Sequence, residues 1–142
     1  MPDSPDNRYT LAQVGRFLEE RLGEAVPLDA DIFADLGCTG IRFTQLISAF
    51  GLRFDVDISA YRWYFHTNED ETTIGAMFFK PPYERVERIA VTPEMLLQFA
   101  NSGWWDITYP EHEIPSSRAD IFITILVIFA VIFLLMYVAG KT

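Results

Sequence analysis

The chain holds a single cysteine, Cys38, among 142 residues, so no intrachain disulfide can form and nothing marks it for an oxidising compartment. Basic charge is scarce as well: 11 lysines and arginines stand against 20 aspartates and glutamates, for a formal net charge of −9. An electrostatic grip on nucleic acid or on an anionic lipid surface needs a basic patch, so nucleic acid is not an expected partner and any basic patch must be local. The common enzyme motifs are missing too. There is no glycine-rich phosphate loop, no Gly-x-Ser-x-Gly, and no workable set of Ser, His and Asp. His66 with Glu69, Asp70 and Glu71, and the run Glu111-His112-Glu113, lack the spacing of a known metal site and read as solvated acidic loops. No catalytic residue, cofactor or metal ion is expected, and the chain reads as a non-enzyme. Cys38 has no basic or nucleophilic neighbour and reads as a small packing residue. No secretory leader is expected, since Met1-Pro2-Asp3-Ser4-Pro5-Asp6-Asn7 is polar and acidic. The N-terminal part is therefore expected in the cytoplasm.

One long hydrophobic run is present, from Ile121 to Ala139, with no charge inside it and only Thr124 and Tyr137 as polar side chains. About 19 residues rising about 1.5 Å each cover roughly the 30 Å of a hydrocarbon core, so residues 120–140 are expected to form a single transmembrane helix. Arg118 and Lys141 bracket the run and nearly cancel, so the positive-inside rule adds little to its orientation. The length before it suits one domain with one core. Residues 1–9 carry two prolines and no apolar period, a disordered start. From Thr10 as N-cap, Leu11, Val14, Phe17, Leu18 and Leu22 recur at helical spacing before Gly23. Pro27 opens a loop, and a second helix starts near Gly40 or Ile41, its apolar face formed by Phe43, Leu46, Ile47, Phe50 and Phe54. An irregular insertion, about residues 59–91, contains the aromatic cluster Tyr61, Trp63, Tyr64 and Phe65 and the polar stretch from Thr67 to Thr73. It continues through Ile74 to Phe79, which suits a short helix or strand, and Arg85 to Val91, which suits a short strand or turn. Thr92 as N-cap, Pro93 and Glu94 begin a third helix that runs to Gly103. Of the adjacent Trp104 and Trp105, one is expected on the core; the other suits a membrane interface. Residues 10–106 are thus the domain and 107–119 a linker to the anchor.

The segment Asp31-Ile32-Phe33-Ala34-Asp35-Leu36-Gly37-Cys38-Thr39-Gly40-Ile41, with Leu46 and Phe54-Asp55-Val56-Asp57-Ile58 beyond it, resembles acyl carrier proteins from their first long loop through the second helix. With the first helix and the Thr92 helix the likeness spans most of residues 10–102, and its specific part is Asp31 to Ile58. The pattern is also similar to a group of uncharacterised bacterial carrier-like proteins that lack the modified serine. The resemblance implies a mainly α fold, a small acyl-carrier-like helical bundle with an irregular insertion plus the C-terminal transmembrane helix, set in a bacterial inner membrane with the domain on the cytoplasmic side.

Two departures from the family fall on its chemistry. The position of the phosphopantetheine-bearing serine is Gly40, which has no hydroxyl, and Thr39 stands one residue early, where one step turns a helical side chain by about 100°. Carrier proteins present acids along the second helix, whereas Leu36 to Phe54 contains no Asp or Glu and has Arg42 and Arg53. The expected function is a non-catalytic interaction module at the membrane, with Thr39, Gly40, Ile41, Arg42 and Gln45 as the partner-binding face and the aromatic insertion beside it. The alternatives are an unconventional acyl carrier in lipid or envelope metabolism and an accessory subunit of a membrane complex. The expected partners are the lipid bilayer and a protein, either a lipid-metabolism enzyme or a membrane complex.

Overall fold

The computed structural model describes residues 7–71, 73–114 and 118–141. The chain is mainly helical, with α1 over Leu11–Leu22, α2 over Gly40–Phe54, α3 over Pro93–Ser102 and α4 over Ala119–Ala139. Among the described residues there is no named strand, only an isolated parallel bridge between Asp57 and Trp104. Of the disordered start expected over residues 1–9, the first six residues lie outside the described residues, as do 115–117 of the linker.

Local chemistry sets the ends of α1 and α3. The Thr10 hydroxyl accepts the Gln13 N–H while the Gln13 side chain accepts the Thr10 N–H, a reciprocal cap, and Gly23 turns the chain out at φ 80°. Thr92 accepts the Met95 N–H with Pro93 at the first position, and Gly103 ends α3 at φ 84°. Both helices start and stop where their residues require.

The core lies where one face of each helix meets the others. Val14, Phe17 and Leu18 of α1, Phe43, Leu46, Ile47, Phe50 and Phe54 of α2, and Leu96, Leu97, Phe99 and Ala100 of α3 are all buried together. Phe17, Phe50 and Phe54 pack with ring centroids 5.2 to 6.2 Å apart. The loop from Pro27 to Thr39 is tied down by Ile32, which is fully buried and bonds through its N–H to the Val91 carbonyl at 3.0 Å. Its acids are used in turns. Asp31 accepts the N–H groups of Phe33 and Ala34 and meets the Arg88 guanidinium through two contacts of 3.1 and 2.6 Å. Burial opposes ionisation of Asp31, but the Arg88 bond and the two backbone donors outweigh it and hold its carboxyl below the usual range.

The insertion is packed. Three short 3₁₀ turns, Trp63–Phe65, Ile74–Met77 and Pro82–Glu84, are joined by irregular chain. Phe65 and His66 are buried, and Tyr61 packs edge-on against the buried Trp105 with centroids 5.2 Å apart. Trp104 is exposed, so of the tryptophan pair it is Trp105 that enters the core. Residues 107–114 of the expected linker are docked on the insertion. The Tyr109 ring lies 4.7 Å from that of Phe65, and His112 bonds the Tyr64 hydroxyl at 2.9 Å.

α4 is 21 residues long and long and apolar enough to cross a membrane. It exposes apolar side chains all round, the pattern of a helix whose solvent is hydrocarbon and not of an amphipathic surface helix. The start of α4 touches the rest of the chain: Asp120 is buried there, and Thr124 accepts a hydrogen bond from Gly75.

Candidate functional site

α2 begins at Gly40 with φ +60°, a left-handed conformation that a residue with a Cβ adopts at a cost. Thr39 occupies the N-cap position in an extended conformation, yet its side chain makes no capping bond. The first backbone N–H groups of a helix have no partner inside the helix and need one from outside. Here the insertion supplies them. Asn68 accepts the Gly40 N–H through Oδ1 at 3.0 Å, and Asp70 accepts the Ile41 N–H through Oδ2 at 3.1 Å. The Thr67 hydroxyl, buried, donates to the Gly40 carbonyl at 3.4 Å. A negative carboxylate at this end also suits the positive pole of the helix dipole.

The Asp70 carboxylate occupies the space a side chain at position 40 would need: a Cβ there would collide with it. Gly40 is buried. Position 40 is thus closed to a side chain twice, by backbone conformation and by a covering carboxylate.

The three consecutive residues Asn68, Glu69 and Asp70 do two jobs. Asn68 and Asp70 cap α2, while Glu69 between them binds Arg118 at 2.8 Å, and Arg118 in turn grips Asp120 at the start of α4 with bonds of 2.7 and 3.0 Å. The start of α2 and the start of α4 are therefore linked through one short stretch of the insertion.

Four of the five expected partner-binding residues line two clefts at the start of α2. Gly40 and Ile41 face a cleft of about 230 Å³ shared with Thr44, Trp63 and the capping residues Thr67 to Asp70. Arg42 and Gln45 face a separate notch of about 120 Å³, lined also by Arg21 and Cys38. Thr39 is half-buried, whereas Ile41, Arg42 and Gln45 are exposed. Arg21 reaches the notch from the end of α1, so two guanidinium groups stand at its rim. Cys38 is buried beside them; burial pushes its thiol up and Arg42 only partly opposes this, so it is not an activated nucleophile.

His66 is spoken for by structure. Its Nδ1 lies 2.9 Å from the Ile89 carbonyl, which can only accept, so Nδ1 carries the proton. Its Nε2 then accepts from the Tyr109 hydroxyl at 2.7 Å, and that hydroxyl accepts from the Trp105 indole N–H at 2.9 Å and the Arg62 N–H at 3.2 Å. Burial, aided by the charge of Arg88, pushes the imidazole down to about 4. Tyr61 stacks on the same ring and is itself pushed up to about 12 by burial. Both imidazole nitrogens being engaged, His66 has none to offer an ion, and among the described residues no three His, Cys, Asp or Glu side chains converge on a point.

Asn68 and Tyr109 were not singled out by the sequence, and Glu69 and Asp70 entered it only as part of a solvated acidic loop. A polar acidic run carries no periodic signal, and a tyrosine between a threonine and a proline in a linker looks solvated. No protein-family model, curated protein or solved structure matches the chain.

Proposed function

We propose that the chain is a membrane-anchored, non-catalytic interaction module on an acyl carrier protein-like scaffold, with the attachment position closed and the neighbouring surface of α2 turned to partner binding. The observation that carries this reading is Gly40 at φ +60° beneath the Asp70 carboxylate. A prosthetic group needs a hydroxyl held in the open at the start of the second helix; here there is no hydroxyl and no room for one. α4 supports the anchor part through its length and all-round apolar surface. In this reading the domain lies on the cytoplasmic side of a bacterial inner membrane. Arg21 and Arg42 at the rim of one notch suit a partner that is acidic or neutral at the contact, unlike the basic partners of acidic carrier helices. Glu69 and Arg118 support a site held close to the membrane surface, where such a partner would be met.

The test is the intact mass of the full chain made together with a phosphopantetheinyl transferase. The unmodified mass is expected. A gain of one phosphopantetheine would overturn the reading in favour of an unconventional carrier.

A further inference from the structure

The stretch Ile74 to Phe79 leaves the aromatic cluster and runs beside the first turns of α4. Met77 is 80 % exposed, Phe78 is 70 % exposed, and Phe79 next to them is also exposed. Three consecutive large apolar side chains facing outward call for a covering surface. This stretch does not stand apart from α4. The Gly75 N–H donates to the Thr124 hydroxyl at 2.8 Å, the Thr124 hydroxyl donates to the Asp120 carbonyl at 2.8 Å, and the buried Gly75 lies so close to the Asp120 backbone that a Cβ would collide with it. Thr124 is one turn inside the apolar length of α4, so backbone bonded to it shares its depth.

Lys80 follows at once and Arg85 five residues later. With Arg118 they line a cleft of about 200 Å³ whose walls include Phe79, Pro82 and Ile114. One carboxylate, Asp120, faces it and is matched by Arg118. Apolar side chains that follow backbone bonded to Thr124, with lysine and arginine beyond them, are the order of groups found in segments that lie at a headgroup boundary.

We propose that residues 74–79 insert into the interface of the phospholipid bilayer, with Met77, Phe78 and Phe79 among the upper acyl chains and Lys80 and Arg85 at the level of the phosphates. The proposal rests on the reading of α4 as a membrane-spanning helix. Continuity with that helix is what selects lipid as the occupant over another protein. The insertion then fixes the height and tilt of the domain above the membrane, which a flexible tether would leave free.

The experiment uses the full chain with buried Cys38→Ala and one new cysteine, at Met77→Cys, Phe129→Cys or Leu52→Cys, labelled with an environment-sensitive fluorophore. The protein is reconstituted in vesicles of phosphatidylethanolamine and phosphatidylglycerol, with or without lipids carrying a nitroxide near the headgroup or near the chain end. Phe129 reports the middle of α4, and Leu52, 87 % exposed on α2, reports the domain surface. The expected result is blue-shifted emission at Met77 with stronger quenching by the shallow nitroxide. Phe129 should be quenched more by the deep one and Leu52 by neither. Water-like, unquenched emission at Met77 with Phe129 quenched would overturn the inserted segment while leaving the anchor standing. An unquenched Phe129 would overturn the anchor reading and this proposal together. Equal quenching at Leu52 and Met77 would also overturn it, because the whole domain would then lie on the lipid.

Discussion

Gly40 meets two constraints that can be separated by substitution. Its positive φ costs any residue with a Cβ roughly 1–2 kcal/mol, and the Asp70 carboxylate stands where that Cβ would go. Gly40→Ala should destabilise the full chain by roughly 2–3 kcal/mol, the sum of that backbone cost and about 1 kcal/mol for a displaced cap. In an Asp70→Ala background the added cost should fall, because only the backbone term remains; denaturant unfolding in detergent, followed by tryptophan fluorescence, measures both. Strictly additive effects would show that the two residues do not meet. His66 sets a pH dependence. Its folded value is about 4 against an ordinary 6.5, so between those values the unfolded chain binds the extra proton. The stability contributed by the neutral imidazole is complete above about pH 6.5, is lost as pH falls toward 4, and reaches about 3 kcal/mol in all. His66→Gln should flatten that slope between pH 4 and 6.5 at some cost in stability, and an unchanged slope would place its origin in other groups.

At the scale of elements, what the sequence foretold and what it did not divide by range. α1 and α3 were legible to the residue because Thr10, Thr92 with Pro93, and the two closing glycines act within a single turn. α2 was legible from its apolar face but its cap was not, since Asn68 and Asp70 lie 28 and 29 residues from the groups they satisfy. The docked linker was hidden for the same reason: Tyr109 meets His66 across 43 residues, and no local pattern announces it. The exposed face of α2 gives a prediction of its own. Arg42→Glu together with Gln45→Glu should weaken capture of the partner by the tagged full chain while changing stability by no more than about 0.5 kcal/mol. Unchanged capture would move the contact to the other cleft, which Ile41 and Trp63 line. At α4, Gly75→Ala should push the 74–79 stretch off the helix, since the added methyl meets the Asp120 backbone. Faster chymotryptic cleavage after Phe78 in detergent is the expected sign, and unaltered cleavage would mean the contact yields without opening.

Across the whole molecule, the insertion joins parts that the helices alone would leave separate. Asn68 and Asp70 hold the start of α2, Glu69 reaches Arg118, and Arg118 neutralises the buried Asp120 at the start of α4. The polar run that resembles a solvated loop in sequence is thus the link between the closed end of α2 and the helix read as an anchor. That closure is the central claim, and amide hydrogen exchange at Gly40 and Ile41, read by nitrogen-15 NMR on the full chain in detergent micelles, tests it most directly. The first amides of a helix exchange fast when nothing outside the helix accepts them. Both should be protected in the wild-type chain and lose that protection in Asn68→Ala with Asp70→Ala, while Leu18 in α1 stays protected. Fast exchange at Gly40 and Ile41 in the wild-type chain would contradict the account, because the start of α2 would then be open.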